Sequence, residues 1–195
     1  MSLSENSYTV IRSIFNDIPG SHRYCTAEAA QFIRKKLKND PTPAIHLIGS
    51  GDYHYVTLFL LEKLEKPFTL VLFDNHPDDQ SGAFSDELLS CGGWVAKARE
   101  LPMCKEVLWN PAELPEDRNI YISVDLDVLS PEYATTNWNQ GDMTLKDLLN
   151  RLSTLKNNNM VEGVDICGAL PEDPEINADT VSGIIDVFCV NLQQN

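Results

Sequence analysis

The chain of 195 residues carries a formal net charge of −14, with 15 Lys and Arg against 29 Asp and Glu, so it lacks the basic surface that nucleic-acid backbones attract. Its five cysteines are odd in number and form no CxxC pair, which is typical of a reducing compartment. The start MSLSENSYTV lacks the features of a signal peptide, and no apolar run approaches the roughly 18 residues of a membrane span. We therefore expect a cytoplasmic protein that binds neither nucleic acid nor membrane.

Short apolar runs alternate with longer amphipathic segments, and no repeat or linker divides the chain. Strands are predicted at Tyr8–Ile14, Ala44–Ile48, Phe68–Phe73, Glu106–Trp109, Asn119–Val124 and Val161–Ile166. Because apolar residues recur at helical spacing between these strands, helices are predicted at Thr26–Lys38, Tyr55–Leu64, Gly93–Glu100, Leu145–Leu155 and Asp179–Leu192. The alternation predicts one domain over residues 1–195, an α/β fold of three layers (α/β/α) around a mostly parallel sheet.

Polar clusters follow three of these strands. The stretch LVLFDNHPDDQSG places Asp74, His76, Asp78 and Asp79 directly after an apolar strand. The strand NIYISV leads into Asp125 and Asp127, and the strand AIHLIGS leads into Asp52 and His54. Because ligands in such folds bind beyond the carboxyl ends of the strands, we expect the three clusters to meet at one edge of the sheet.

Carboxylates packed this closely repel one another and are costly to desolvate, so protons or cations must neutralise them. Imidazole and several carboxylates, with no thiolate nearby in the sequence, suit Mn²⁺ better than a structural zinc site, while Fe, Co, Ni and Zn stay open. Four aspartates carry four negative charges, which two divalent ions cancel, so two metal ions are predicted. Each motif alone has the alternative of an ordinary turn or a solvated strand end.

Two segments together resemble the paired signatures of the arginase, agmatinase and formiminoglutamase superfamily, the ureohydrolases: Asp74-x-His76-x-Asp78 and SVDLDVLSP at 123–131. The segments GSGDYH (49–54), GDMT (141–144) and GVDI (163–166) resemble further family segments in the same order, so the resemblance covers about residues 44–188. It implies an arginase/deacetylase-like fold. It also implies two Mn²⁺ ions, bridged by Asp74 and Asp125, with the ligands His54, Asp74, His76, Asp78, Asp125 and Asp127. Tyr53 is inserted relative to the family pattern, and a strict register would put this tyrosine where the histidine belongs.

The resemblance implies hydrolysis of a linear C–N bond in a small-molecule substrate, as an amide, amidine or guanidine. Asp127 would hold the proton of the attacking water and pass it to the leaving nitrogen. His22, after the first strand, is a candidate proton shuttle or substrate contact, and Cys91 stands where arginases carry a histidine thought to shuttle protons.

Two alternatives stay open. One is a single-metal, deacetylase-like hydrolase that uses Asp74, His76 and Asp125, and the other is a non-catalytic metal-binding relative. A homo-oligomer also stays open.

The sequence departs from the family pattern at a residue that binds the substrate. Three residues after the last-strand Asp165, the family carries a glutamate that pairs with the guanidinium of arginine or agmatine, and this chain has Gly168 there. Glu172 is a candidate replacement. The chain is also shorter than typical family members. We therefore expect arginine and agmatine to be poor substrates.

Overall fold

The computed structural model describes residues 8–80, 88–170 and 174–189. Within them the strands are β1 (Thr9–Arg12), β2 (Tyr24–Cys25), β3 (Ala44–Gly49), β4 (Phe68–Phe73), β5 (Leu89–Ser90), β6 (Cys104–Trp109), β7 (Asn119–Asp125) and β8 (Met160–Cys167). The α-helices are α1 (Ala27–Leu37), α2 (Val56–Leu61), α3 (Trp94–Arg99), α4 (Leu145–Asn158) and α5 (Pro174–Cys189). Two short 3₁₀ helices follow β3 and β7, at Gly51–Tyr53 and Leu126–Val128.

Six strands form one sheet in the order β1-β3-β8-β7-β4-β6, and every neighbouring pair in it is parallel. The six strands predicted from the sequence are these six, with ends that differ by a few residues. β2 and β5 form a separate antiparallel pair. Every residue of β4 is buried, as expected for a strand that is covered on both faces.

Two apolar clusters lie on opposite faces of the sheet. Along β4, Leu70 and Leu72 belong to the first cluster, and Val71 and Phe73 belong to the second, because successive side chains of a strand point to opposite faces. Helices α1, α2 and α3 supply the first cluster, while α4 and α5 supply the second. This arrangement confirms the predicted three layers.

The helix ends follow local chemistry, with one correction. The side chain of Thr144 accepts a hydrogen bond from the Asp147 amide at 3.1 Å, so the predicted cap of α4 is present. The last helix begins at Pro174 rather than at Asp179, because proline is tolerated in a first turn, where its missing N–H has no partner to lose. The predicted end of this helix, Leu192, lies outside the described residues. Among the helices that the structure describes, none has the length and apolar character needed to cross a bilayer.

His46 is a core histidine, as its position inside a predicted strand suggested. It lies in β3 with 5% exposure. Burial lowers its pKa to about 4, although the nearby Asp40 carboxylate, 3.8 Å from Nδ1, opposes the shift. The folded protein therefore resists protonation of a group that titrates near pH 6.5 in the unfolded chain.

Replacing His46 with leucine should make stability less sensitive to acid. Above pH 6.5 His46 is neutral in both the folded and the unfolded chain. Between pH 6.5 and about pH 4 the unfolded chain binds a proton at His46 that the folded chain does not bind. Stability is therefore lost as the pH falls, by about 2 kcal/mol at pH 5 from this group alone. Urea unfolding at pH 7 and pH 5, with a chelator present, should show a smaller loss for His46→Leu than for the natural protein. Equal losses in the two proteins would contradict this account.

Candidate metal centre

The three polar clusters meet at the carboxyl edge of the sheet, as expected. Asp74 follows β4, Asp125 ends β7, and His54 follows the 3₁₀ helix that leads out of β3. In the sheet β7 lies next to β4, and only β8 separates β7 from β3. Parallel strands thus bring side chains that are far apart in sequence into contact.

A first group of side chains, here called the inner site, surrounds the ring of His54. Its Nδ1 lies 3.1 Å from Oδ2 of Asp74, 3.1 Å from Oδ2 of Asp78 and 3.5 Å from Oδ2 of Asp125. The His54 side chain is 1% exposed, so this group lies at the bottom of the centre. The inner site is defined as His54, Asp74, Asp78 and Asp125.

A second group, the outer site, consists of Asp74, His76 and Asp127. Nδ1 of His76 lies 2.8 Å from Oδ2 of Asp127 and 3.6 Å from Oδ1 of Asp74. His76 is 31% exposed and faces solvent more than any other member of the two sites. Asp74 belongs to both sites, which is the position required of a bridging carboxylate.

The structure places His54, and not the inserted Tyr53, beside the carboxylates. His54 occupies the inner site, whereas the ring of Tyr53 packs against Phe15, with centroids 6.3 Å apart. The 3₁₀ helix at Gly51–Tyr53 turns the chain so that the residue after the tyrosine faces the carboxylates.

Hydrogen bonds that the sequence did not predict hold the side chains of the inner site in place. Nε2 of His54 lies 2.9 Å from Oγ of Ser123, which donates to Oδ1 of the fully buried Asp165 at 2.8 Å. The indole of Trp94 donates to Oδ2 of Asp78 at 2.8 Å. Such partners fix the ring of a metal-binding histidine so that its other nitrogen faces the metal. Ser123 and Asp165 stood inside the quoted motifs, but nothing in the sequence joined one to the other.

Two unsatisfied atoms test whether a cation fits the inner site. Nδ1 of His54 and Oδ2 of Asp74 are buried, and neither has a partner with hydrogen-bond geometry among the described residues. Buried polar atoms of this kind are rare, because each costs about 1–3 kcal/mol when unpaired. A cation between them would satisfy both, so the donor atoms fit a metal ion.

The carboxyl groups cannot all stay ionised without such a cation. Burial, with the charges of Asp127 and Asp74, raises the pKa of Asp125 well above its usual range, and burial with the charge of Asp74 raises that of Asp127 to about 7. Burial also favours the neutral form of Asp74, but the adjacent imidazoles of His54 and His76 override it and lower the pKa of Asp74 to about 2. The group therefore shares protons where a metal would supply charge.

A cavity of about 250 Å³ opens above the two sites. Members of both sites form its floor, and its described wall contains Arg23, Tyr24, Gly51, Gln80, Ser90, Cys91, Gly92 and Trp138. The guanidinium of Arg23 lies 5.3 Å from the centroid of the Trp138 ring, and its Nε donates to Oδ1 of Asp52 at 3.0 Å. The cavity thus has an acidic floor and one cationic side chain in the described wall. The sequence did not single out Arg23 or Trp138.

The other two candidate catalytic residues have different positions. Cys91 belongs to the cavity wall, but burial raises the pKa of its thiol to about 11, so the thiol stays protonated at neutral pH. His22 does not belong to the described wall. Its Nε2 lies 3.1 Å from Oδ2 of Asp52 and its side chain is 66% exposed. A role for His22 in the chemistry therefore stays a prediction without support from its position.

The position of the family's guanidinium-binding glutamate is sterically closed. Gly168 has a φ of +94°, and a Cβ on it would collide with Oδ1 of Asp125 and lie 2.9 Å from the amide nitrogen of Leu126. Only glycine is compatible with this backbone. Glu172, the candidate replacement, lies outside the described residues.

No protein-family model matches the sequence. An uncharacterized protein of Thermotoga maritima is 32% identical over 144 residues, which are 64% of this chain and 57% of that protein.

Many solved structures share the fold, and three of them illustrate the match. A hypothetical agmatinase from Burkholderia thailandensis matches with a TM-score of 0.64 and 21% identity, over 83% of this chain and 63% of that one. Proclavaminate amidino hydrolase from Streptomyces clavuligerus matches with a TM-score of 0.65 and 16% identity, over 83% and 68%. Arginase from Medicago truncatula matches with a TM-score of 0.64 and 18% identity, over 83% and 65%. The chain thus spans less than two thirds of the Thermotoga protein, of the agmatinase and of the arginase, and it has the three-layer fold of arginases and agmatinases that its motifs implied.

Proposed function

We propose that this protein is a divergent enzyme of the ureohydrolase type, a metal-dependent hydrolase that cleaves a linear C–N bond in a small molecule. The observation that carries this proposal is the pair of ligand groups that share Asp74 on the floor of one cavity. The shared fold of arginases and agmatinases supports it.

The donor set favours two divalent ions. The inner and outer sites together hold four carboxylates and two imidazoles, and two divalent ions cancel the four negative charges. Oxygen and imidazole donors suit Mn²⁺, which is the metal we expect. A single-metal centre would leave Asp78 and Asp127 without a role, although both face the imidazoles of the two sites at 3.1 Å and 2.8 Å.

Two bound divalent ions would lower the pKa of a water molecule to about 7 and offset the negative charge that develops on the attacked group. We assign to Asp127 the transfer of the proton from the attacking water to the leaving nitrogen. Its Oδ1 accepts a hydrogen bond from the Asn75 amide at 3.0 Å and its Oδ2 lies beside Nδ1 of His76, so the carboxylate is held in one orientation at the cavity floor. From there Asp127 takes the proton of the attacking water and returns it to the leaving nitrogen.

The described cavity wall does not suit a cationic substrate. Outside the metal-ligand residues it offers no carboxylate, and its one charged side chain is the cation Arg23. A guanidinium group needs a carboxylate to accept its forked hydrogen bonds. We therefore propose an uncharged group such as an amide, rather than the guanidinium of arginine or agmatine, as the class of substrate.

The one-domain organisation, the cytoplasmic location and the possible homo-oligomer stay predictions of the sequence. All five cysteines are free thiols in the structure, which agrees with a reducing compartment.

Metal binding should stabilise the protein, and this should depend on Asp125. Because the ions bind the folded state, each tenfold of free Mn²⁺ above its Kd should add about 1.4 kcal/mol. Thermal unfolding should therefore shift upward with Mn²⁺, and elemental analysis should find two ions per chain. Asp125→Asn should lose most of the shift.

Asp79→Asn is the matched control for this experiment. Asp79 neighbours Asp78 in the chain, but its carboxylate is exposed and pairs with Arg99 at 3.3 Å. This variant should keep the metal response of the natural protein. Two observations would refute the binuclear centre: the same response in Asp125→Asn as in the natural protein, or no bound metal at saturation in folded protein.

Arginine and agmatine should be poor substrates of the metal-loaded protein. A missing carboxylate partner for a buried guanidinium costs several kcal/mol, which is about a hundredfold or more in kcat/KM. Urea release from both compounds should be compared with ammonia or amine release from a panel of linear amides and amidines. If arginine or agmatine turned over at about 10⁴ M⁻¹s⁻¹ or faster, another acid would have taken the glutamate's role, with Glu172 the first to test. No turnover of any compound would favour a non-catalytic relative.

A further inference from the structure

A thiol lies beside the inner site, although none of the five cysteines is near the aspartate motifs in the sequence. Sγ of Cys167, a nitrogen of His54 and a carboxylate oxygen of Asp125 all lie within 4.8 Å of one another. All three side chains are buried, and Cys167 is 0% exposed. Mn²⁺ was favoured because no cysteine lies near the aspartate motifs in the sequence. In the folded protein, however, Cys167 lies close to two residues of the inner site.

The sheet register explains why this cysteine faces the inner site. Cys167 ends β8 and pairs with Asp125 at the end of β7. Asp165, two residues earlier on the same face of β8, supports His54 through Ser123. Cys167 thus continues the row of side chains that positions the histidine, one step closer to the sheet edge where the ligands converge.

An unsatisfied atom of the same histidine points to a cation. Nδ1 of His54 is buried without a hydrogen-bond partner among the residues described, while its Nε2 is occupied by Ser123. The nitrogen that faces the carboxylates is therefore free to bind a metal. The thiol currently approaches the Ser50 carbonyl at 3.3 Å, and that carbonyl also accepts the Tyr53 amide at 3.0 Å, so it keeps a donor if the thiol turns away.

From this geometry we infer that Cys167 is a further metal donor beside His54 and Asp125, and that its sulfur makes the inner site prefer a softer ion such as Zn²⁺, Co²⁺ or Fe²⁺ to the Mn²⁺ expected from the oxygen and imidazole donors alone. The inference deepens the proposed function and rests on its metal centre. Sulfur and nitrogen bound to one ion at the usual Zn–S and Zn–N bond lengths lie about 3.5 Å apart, so from at most 4.8 Å the two atoms need to close by no more than about 1.3 Å. Binding forms a metal–sulfur bond and releases the thiol proton to solvent.

Cobalt absorption tests the inference without relying on catalysis. The chelator-treated full chain is loaded with Co²⁺, and its near-ultraviolet spectrum is recorded for the sulfur-to-cobalt charge-transfer band. The natural protein should show this band, and Cys167→Ala should lose it while keeping the visible cobalt transitions of an oxygen- and nitrogen-bound ion. Cys167→Val, which fills the buried space more fully, should behave in the same way if the alanine variant folds poorly.

Cys25→Ala is the matched control, because Cys25 is a buried cysteine that belongs to neither the metal groups nor the described cavity wall. It should keep the band of the natural protein. X-ray absorption of the zinc-loaded natural protein should also show a sulfur neighbour at about 2.3 Å, absent in the Cys167 variants.

The possible failures differ in meaning. Bound cobalt without the charge-transfer band in the natural protein would overturn the role of Cys167 and leave the metal centre intact. Persistence of the band in both Cys167 variants would also overturn it, since the sulfur would belong to another cysteine. Failure of the folded natural protein to bind cobalt at all would overturn this inference and the proposed metal centre together.

Discussion

Mutual repulsion among buried carboxylates is the constraint on which this structure depends. Asp74, Asp78 and Asp125 surround the ring of His54 at 3.1–3.5 Å, and their side chains are no more than 10% exposed. The fold tolerates the cluster because the two imidazoles, shared protons or bound cations neutralise it, so the stability of the sheet edge and the chemistry of the site have the same origin.

The sheet converts this local cost into a defined geometry. Strands β4 and β7 are adjacent and fully anchored between two apolar layers, so the carboxylates at their ends cannot move apart to relieve their repulsion. Ser123 and Asp165, in neighbouring strands, add a buried chain of hydrogen bonds behind His54. A rigid and partly unsatisfied group of donors is what a preorganised metal site requires.

Much of this arrangement could be predicted from the sequence because the signals were strong and local. The apolar runs before Asp74 and Asp125 specified buried parallel strands, and the topology rule then placed their ends together. Three features had no such signal. The orientation of His54 depends on the 3₁₀ turn before it. The position of Cys167 near His54 depends on the register of the strands. Arg23, whose φ is +60°, reaches the cavity wall from a loop.

The start of α5 was predicted too late in the sequence because of a proline. Its first turn carries Pro174, which reads as a loop residue in a sequence, although an N-terminal turn accepts it. Local propensity therefore described the strands well, while contacts between distant residues decided the details of the site.

Gly168 has a consequence for how substrate preference can change in this scaffold. Its left-handed backbone lies against Asp125 and Leu126, so no side chain of any kind fits there. A single codon change toward an acidic residue would displace Asp125 before the new side chain could contact a substrate. Acquiring or regaining recognition of a cation at this position would first require a different path of the main chain after β8. A change of substrate preference at this position therefore requires remodelling of the loop after β8. Single point mutations do not easily produce such a change of backbone.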